Sequence, residues 1–447
     1  MASEKQYIEL YEAHAADISA HSCDVMNGLR PLAFEHFQKS GFPSQKVERY
    51  KYTDVEKAFT PDYGVNIKRV EFPVNPYDAF KCSVPNMGTS LFFVVNDIFY
   101  RKGQPMNDLP EGVRIGSLCD EAQANPQLVS AYYGKLADTS VDGITALNTM
   151  LAQDGLFIYI PRNTKVEHPV QIVNVSRADV DMMANRRVLI IIEEGAEASF
   201  LFCDHALDDR HFLTTQVVEV FAGENSRLEL YGLEETHAKN TRFNNMYVRQ
   251  DKDSSVELNS ITLHNGFTRN RLDVLLEGEG ADISAYGCVV ADREEHVDNN
   301  ALIDHRVGKC RSDVLYKYVL DGQSVGAFVG HVLVRQDAQH TESHERNANI
   351  CVTDTARMYT QPMLEIYADD VKCNHGSTVG QLDEKALFYM CQRGISQEEA
   401  RMLLQHAFAE EVIRRIRLDA LRERLSHLVE MRFRGELDSC KGCKMCR

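Results

Sequence analysis

The spacing of apolar residues changes character twice along the chain. Between residues 5 and 38, Tyr7, Leu10, Tyr11 and Ile18 fall near one helical face and Ala33, Phe34 and Phe37 near another, so the segment reads as helical. Gly41-Phe42-Pro43 closes it. From Tyr63 to Gly116, short apolar runs such as Leu91–Val95 are interrupted by Pro and Asn turns, the pattern of a small α/β region. Ser117–Met150 returns to helical spacing through Leu118, Leu128, Tyr132, Leu136 and Leu147. Residues 1–155 are therefore assigned to a largely helical N-terminal domain.

Beyond Gly155 the pattern becomes that of strands, and it repeats. Gly195, Gly223, Asp251, Gly280 and Gly308 each sit in a polar cluster before a β-type run, at spacings of 28, 28, 29 and 28. A second set of polar turns near Asp209, Ala238, Gly266, Arg293 and Gly322 falls between them, so a turn recurs about every 14 residues. The intervening runs are rich in Val, Ile, Leu and Tyr: Val188–Ile192, Val217–Phe221, Leu228–Leu233, Val274–Leu276, Leu315–Leu320 and Val332–Val334. A β-sandwich also turns often, but it does not hold a fixed double period through five cycles. The sequence thus predicts a mainly β fold, with a right-handed parallel β-helix over 156–382 between the N-terminal α/β, largely helical, domain and a C-terminal helical region. Stacked coils leave unpaired edges only at their two ends, and the helical regions are available to cap them.

After Asp383 the spacing is helical again. Ser396-Gln397-Glu398-Glu399 reads as a capping box, in which the Ser396 and Glu399 side chains satisfy backbone donors. Leu403, Leu404, Ala407, Phe408, Val412 and Ile416 form one apolar stripe, and Leu418, Leu421, Leu425 and Leu428 a second. Residues 383–435 form the C-terminal helical region and 436–447 a Cys-rich tail.

Composition narrows the function classes. A chain of 447 residues calls for two or three domains, and its formal charge of −17 opposes nucleic acids and anionic membranes as partners. No apolar run is long enough to span a bilayer, and Met1–Ala20 is mixed and charged, so neither a membrane helix nor a secretory signal is expected. Twelve cysteines, mostly isolated among apolar neighbours, read as reduced thiols of a cytoplasmic protein. There is no G-x-x-x-x-G-K-[ST], and Gly278-Glu279-Gly280 lacks the third glycine of a dinucleotide fingerprint.

The candidate chemistry lies near the end of the repeat. Met363–His375 reads as a short strand running into a turn, with Gly376 and Gly380 as breakers. Extended backbone puts Cys373 and His375 on one face and Lys372 and Asn374 on the other. A thiolate and an imidazole on same-face positions ~7 Å apart suit iron, zinc or copper. Two donors do not close a coordination sphere, so the rest must come from elsewhere in the fold or from a second chain. The alternative reading makes Cys373 a small buried hydrophobe and His375 a turn residue. Cys440, Cys443 and Cys446 have C-x2-C-x2-C spacing, suited to an iron-sulfur cluster or zinc but one ligand short; otherwise they form an oxidation-prone tail. His340-Thr341-Glu342-Ser343-His344 lies among strands and lacks the H-E-x-x-H helix of a metalloprotease.

The run L-E-I-Y-A-D-D-V-K-C-N-H-G-S-T-V-G-Q-L-D, with the following L-F-Y and R-G-I, resembles the SufB/SufD family of the SUF iron-sulfur cluster assembly system. Within it, the A-D-D-V-K-C-x-H-G form is that of the D-type subunit (SufD), where the B type carries H-E-A-T-T-S. The resemblance extends more weakly from about Gly41 to the helices after Ser396, and Ser44–Val55 is similar to an N-terminal family signature, though an ordinary surface helix explains it equally. It implies a β-helix between two helical regions and a non-catalytic scaffold subunit of a SufBCD-type complex. Cys373 and His375 would face a SufB-type subunit at the β-helix end and supply ligands to a transient cluster, while Asp369 and Asp370 fix the turn. The C-terminal helices would dock the SufC-type ATPase, and a homodimer would form when the partner is missing. Family complexes are associated with reduced flavin, for which this chain shows no fingerprint. Two other readings stay open: a cytosolic β-helix enzyme using the Cys-His pair, and a structural interaction module with a metal-binding tail.

Overall fold

The structure, a computed structural model, describes residues 2–70, 75–79, 90–102 and 109–435. Among the described residues the strands form two ten-stranded sheets, and from Leu156–Ile160 onward consecutive strands alternate between them. One sheet runs from Leu156–Ile160 to Arg357–Ile366 and the other from Val170–Ser176 to Lys372–Gly380, every neighbouring pair parallel. This is a parallel β-solenoid of about eight coils. The polar clusters seen in the sequence are its corners: Gly195 and Gly280 adopt φ of 67° and 74°, and Asn225, Asp253 and Lys309 take the same left-handed conformation at equivalent turns. The offset between in-register neighbours is not constant. It runs from 26 (Thr241 to Phe267) to 32 (Val325 to Arg357), so the corners absorb small insertions while the strands keep their register.

Strand alternation fills the bore. Ile190, Phe200, Val220, Ile283 and Val314 point inward and form one apolar core. A polar column runs through it where Gln216, Asn244, Asn270 and Asn299 occupy the same inward position on successive coils. Gln216 Nε2 donates to Asn244 Oδ1 (3.1 Å), Asn270 Nδ2 to Asn299 Oδ1 (2.9 Å) and Asn299 Nδ2 to the Tyr318 hydroxyl (2.6 Å). Stacked amides of this kind satisfy one another at the spacing of the coils, which fixes the register from inside.

The helices lie on the flanks. Tyr7, Phe37, Phe42, Phe59 and Ile144 pack on the outer face of the first sheet at Met183, Leu213 and Phe243. Arg187 and Glu219, both fully buried, bond at 2.7 Å beneath this layer, and Glu219 also accepts the backbone N–H of Gly134 and Leu136. The segment Ser44–Val55 is not a surface helix: it holds only a short turn at Glu48–Tyr50 and lies flat on the same face. Arg49 bonds Asp273 (2.6 Å) and Asn300 (2.7 Å), the Arg269 guanidinium sits 3.7 Å from the Tyr50 ring centre, and Thr53 donates to Asp298 (2.5 Å).

The C-terminal helices Gln397–Ile413 and Asp419–Phe433 cover the outer face of the second sheet. Val412, Ile416, Leu421, Leu425 and Leu428 are buried there against Tyr231, Leu233 and Ile261. Most of the two apolar stripes is thus core, and Leu403 and Ala407 remain exposed. The expected capping box is half formed. Ser396 Oγ accepts from the Glu399 N–H (3.1 Å), whereas the Glu399 carboxylate pairs with Arg434 (3.2 Å).

Candidate functional site

The expectation that both helical regions cap the solenoid fails at its C-terminal end. Arg357–Ile366 and Lys372–Gly380 close their sheets with one neighbouring strand each, and neither strand has a buried residue. Among the described residues no strand pairs with their outer edges, and their inward side chains are covered from one side only.

The placement of strand and turn near Cys373 also needs correction. Met363 lies in the strand Arg357–Ile366, the turn is at 367–371, and a new strand begins at Lys372 and continues through Gly376 to Gly380. The glycines do not break it. A Cβ at either would touch nothing within 4 Å, because this edge carries no packing on that side. The turn is held by the one beneath: the Asp370 carboxylate pairs with His340 (3.0 Å) and its backbone N–H donates to Gln339 Oε1 (2.9 Å). His340 therefore serves a corner, and His344 lies in a strand rather than a helix.

Cys373 and His375 do share a face. Cys373 pairs in register with Ser343 and packs inward near Val332, Val334 and Ala338, half-buried. His375, two residues on, pairs with Glu345 and is exposed at the mouth. Burial pushes the Cys373 thiol above its ordinary pKa, partly offset by a backbone hydrogen bond at Ser343. The shift favours the protonated thiol. Among the described residues no three His, Cys, Asp or Glu side chains stand close enough together to hold a metal ion, so the pair is an incomplete donor set. The eight described cysteines are all free thiols. Cys440, Cys443 and Cys446 lie outside the described residues.

Sequence reasoning missed Glu345. It is 1% exposed, lies one coil beneath His375, and has a carboxylate oxygen, Oε1, with no hydrogen-bond partner. Burial alone pushes its carboxyl up to about 7. The available signal was the strand Glu342–Cys351, which carries polar residues on both faces where a covered strand should alternate.

Fold and site together define a helix-flanked parallel β-solenoid that presents a thiol and an imidazole at an unpaired sheet end. Residues 1–172 match the family profile described as the SufBD protein N-terminal region, and residues 174–408 match that of the SUF system FeS cluster assembly SufBD core domain. The chain belongs to the SufBD family of the SUF iron-sulfur cluster assembly system. It is 26% identical to an iron-sulfur cluster assembly SufBD family protein of Synechocystis over 93% of each chain. It is also 26% identical to the iron-sulfur cluster assembly protein SufD of Escherichia coli, covering 91% of this chain and 93% of that one. With the chloroplastic protein ABCI7 of Arabidopsis thaliana it shares 26% over 86% of this chain and 81% of the relative. Among the described residues no helix is long and apolar enough to cross a membrane.

Proposed function

We propose that this chain is a non-catalytic, D-type scaffold subunit that builds and hands over iron-sulfur clusters in the cytoplasm with a B-type subunit and an ATPase. The observation that carries this reading is the uncapped C-terminal end, where two edge strands and the Cys373–His375 pair lie together. Edge strands with free N–H and C=O groups favour pairing with another chain, and a B-type subunit is the natural occupant. The nascent cluster is cargo. Cys373 gives up its proton and offers sulfur, His375 offers a neutral ring nitrogen, and the partner supplies the remaining donors. Without that partner the same edges serve a homodimer.

The ATPase is assigned to the solvent side of 396–433, because the opposite side already packs on the solenoid. Nucleotide-driven movement there would open the site between subunits, with reduced flavin serving the complex as a whole. The three-cysteine tail is an accessory thiolate set. The test is anaerobic co-expression of the chain with its B-type and ATPase partners, wild type against Cys373→Ser and His375→Ala. The complex should stay intact while iron and sulfide content falls several-fold. Full cluster content in both variants, with the complex intact, overturns the reading.

A further inference from the structure

Besides the amide column of its middle coils, the bore of the solenoid carries a second group of polar side chains near the open end. His305, Ser312, Ser343, Glu345 and Thr360 occupy inward positions there. His305 Nε2 bonds Ser312 Oγ (3.0 Å), which donates to Ser343 Oγ (2.7 Å), one coil below Cys373. Three atoms in this region have no hydrogen-bond partner: His305 Nδ1, Glu345 Oε1 and Thr360 Oγ1.

Glu345 is the most costly of these. An ionised carboxylate taken out of water without a counter-charge loses much of its solvation, and among the described residues no charged group offsets the burial of this one. Space has been made for it nonetheless. Its carboxylate lies over Gly330 on the opposite wall, where a Cβ would come within 2.3 Å of Oε1. It sits directly under His375 and diagonal to Cys373, on coils about 4.8 Å apart.

We propose that Glu345 is this chain's third donor to the iron received at the open end, closing the Cys373–His375 pair from inside the bore. The proposal rests on the reading that this pair faces the incoming metal. Oxygen, nitrogen and sulfur donors together suit Fe(II) and leave positions open for a partner. Charge balance gives the physical reason. A dication held by one thiolate and a neutral imidazole keeps a net positive charge at the mouth of the bore, and a carboxylate cancels it. The three side chains are not at ligand distance in the free chain. Bringing them together requires rotation of Glu345 away from Gly330 and of His375 inward, with no change in backbone register.

The experiment titrates the full chain anaerobically with Co(II) as the probe for Fe(II), following thiolate-to-metal absorption, for wild type, Glu345→Gln, Glu345→Asp, Cys373→Ser and His375→Ala. Glu345→Gln should keep the thiolate signal and bind at least about tenfold more weakly, with Glu345→Asp recovering part of the loss. Metal-free Glu345→Gln should also melt higher than wild type at neutral pH, which shows that it folds. Wild-type affinity in Glu345→Gln, alongside weakened Cys373→Ser and His375→Ala, overturns the third donor and leaves the pair. Unchanged binding in all four variants, or no binding by the wild-type chain, overturns both.

Discussion

The two ends of the solenoid solve the same edge problem in opposite ways. At the N-terminal end the parallel ladder is finished by antiparallel partners: Arg114–Ser117 pairs against Leu156–Ile160, and Ile98–Phe99 folds back on Ser90–Val95. The side chains beneath, Phe92, Ile158 and Ile172, are buried. At the C-terminal end no such partner follows among the described residues, and Tyr367 and Val379 stand exposed. A sheet can be ended within one chain when its direction reverses. Among the described residues the chain does so at one end only, and the open end is the one that carries Cys373 and His375.

Matched truncations of inward side chains give the largest contrast. Phe200→Ala, deep in the capped half, should cost about 3–5 kcal/mol in denaturant unfolding, and Leu364→Ala at the open end about 1 kcal/mol or less. Equal losses would mean that the open end is as well packed as the closed one.

The depth of dry interior below the mouth can be read from His305, fully buried two coils in and held down to about 4 from an ordinary 6.5 because burial disfavours its charged form. The folded state prefers the neutral ring. Its stabilisation is complete above about pH 6.5 and is lost as pH falls through about 4, roughly 3 kcal/mol in all. His305→Gln should flatten that part of the stability profile. An unchanged profile would place solvent at His305.

A smaller effect tests whether the C-terminal helices belong to the flank. Ser396→Ala removes the cap of Gln397–Ile413 and should cost about 1 kcal/mol, with faster amide exchange confined to that helix. Faster exchange in Lys372–Gly380 as well would tie the helix to the open end. Smallest of all, removing residues 440–447 should leave unfolding within about 0.5 kcal/mol. An insoluble truncation would make the tail part of the fold.

Much of this was legible in the chain, for identifiable reasons. The corners were readable because tight turns select Gly, Asn and Asp, and strand alternation placed Cys373 with His375 over a span of three residues. Gly376 and Gly380 misled because glycine weakens a strand mainly through packing that an exposed edge does not have. Ser44–Val55 looked like a solvated helix because the partners of Arg49 and Thr53 are Asp273, Asn300 and Asp298, more than two hundred residues away.

By itself, then, the sequence determined the solenoid, its corners and the face shared by the thiol and the imidazole, because steric and turn preferences act over a few neighbouring residues. Only the tertiary structure decided which residues stack in a column. The offset between coils varies from 26 to 32, so no fixed repeat could have put Glu345 beneath His375. It also decided that the helices cover the flanks and leave one end open. That outcome depends on apolar faces matching across distant segments, and the same stripes would have fitted a cap as well.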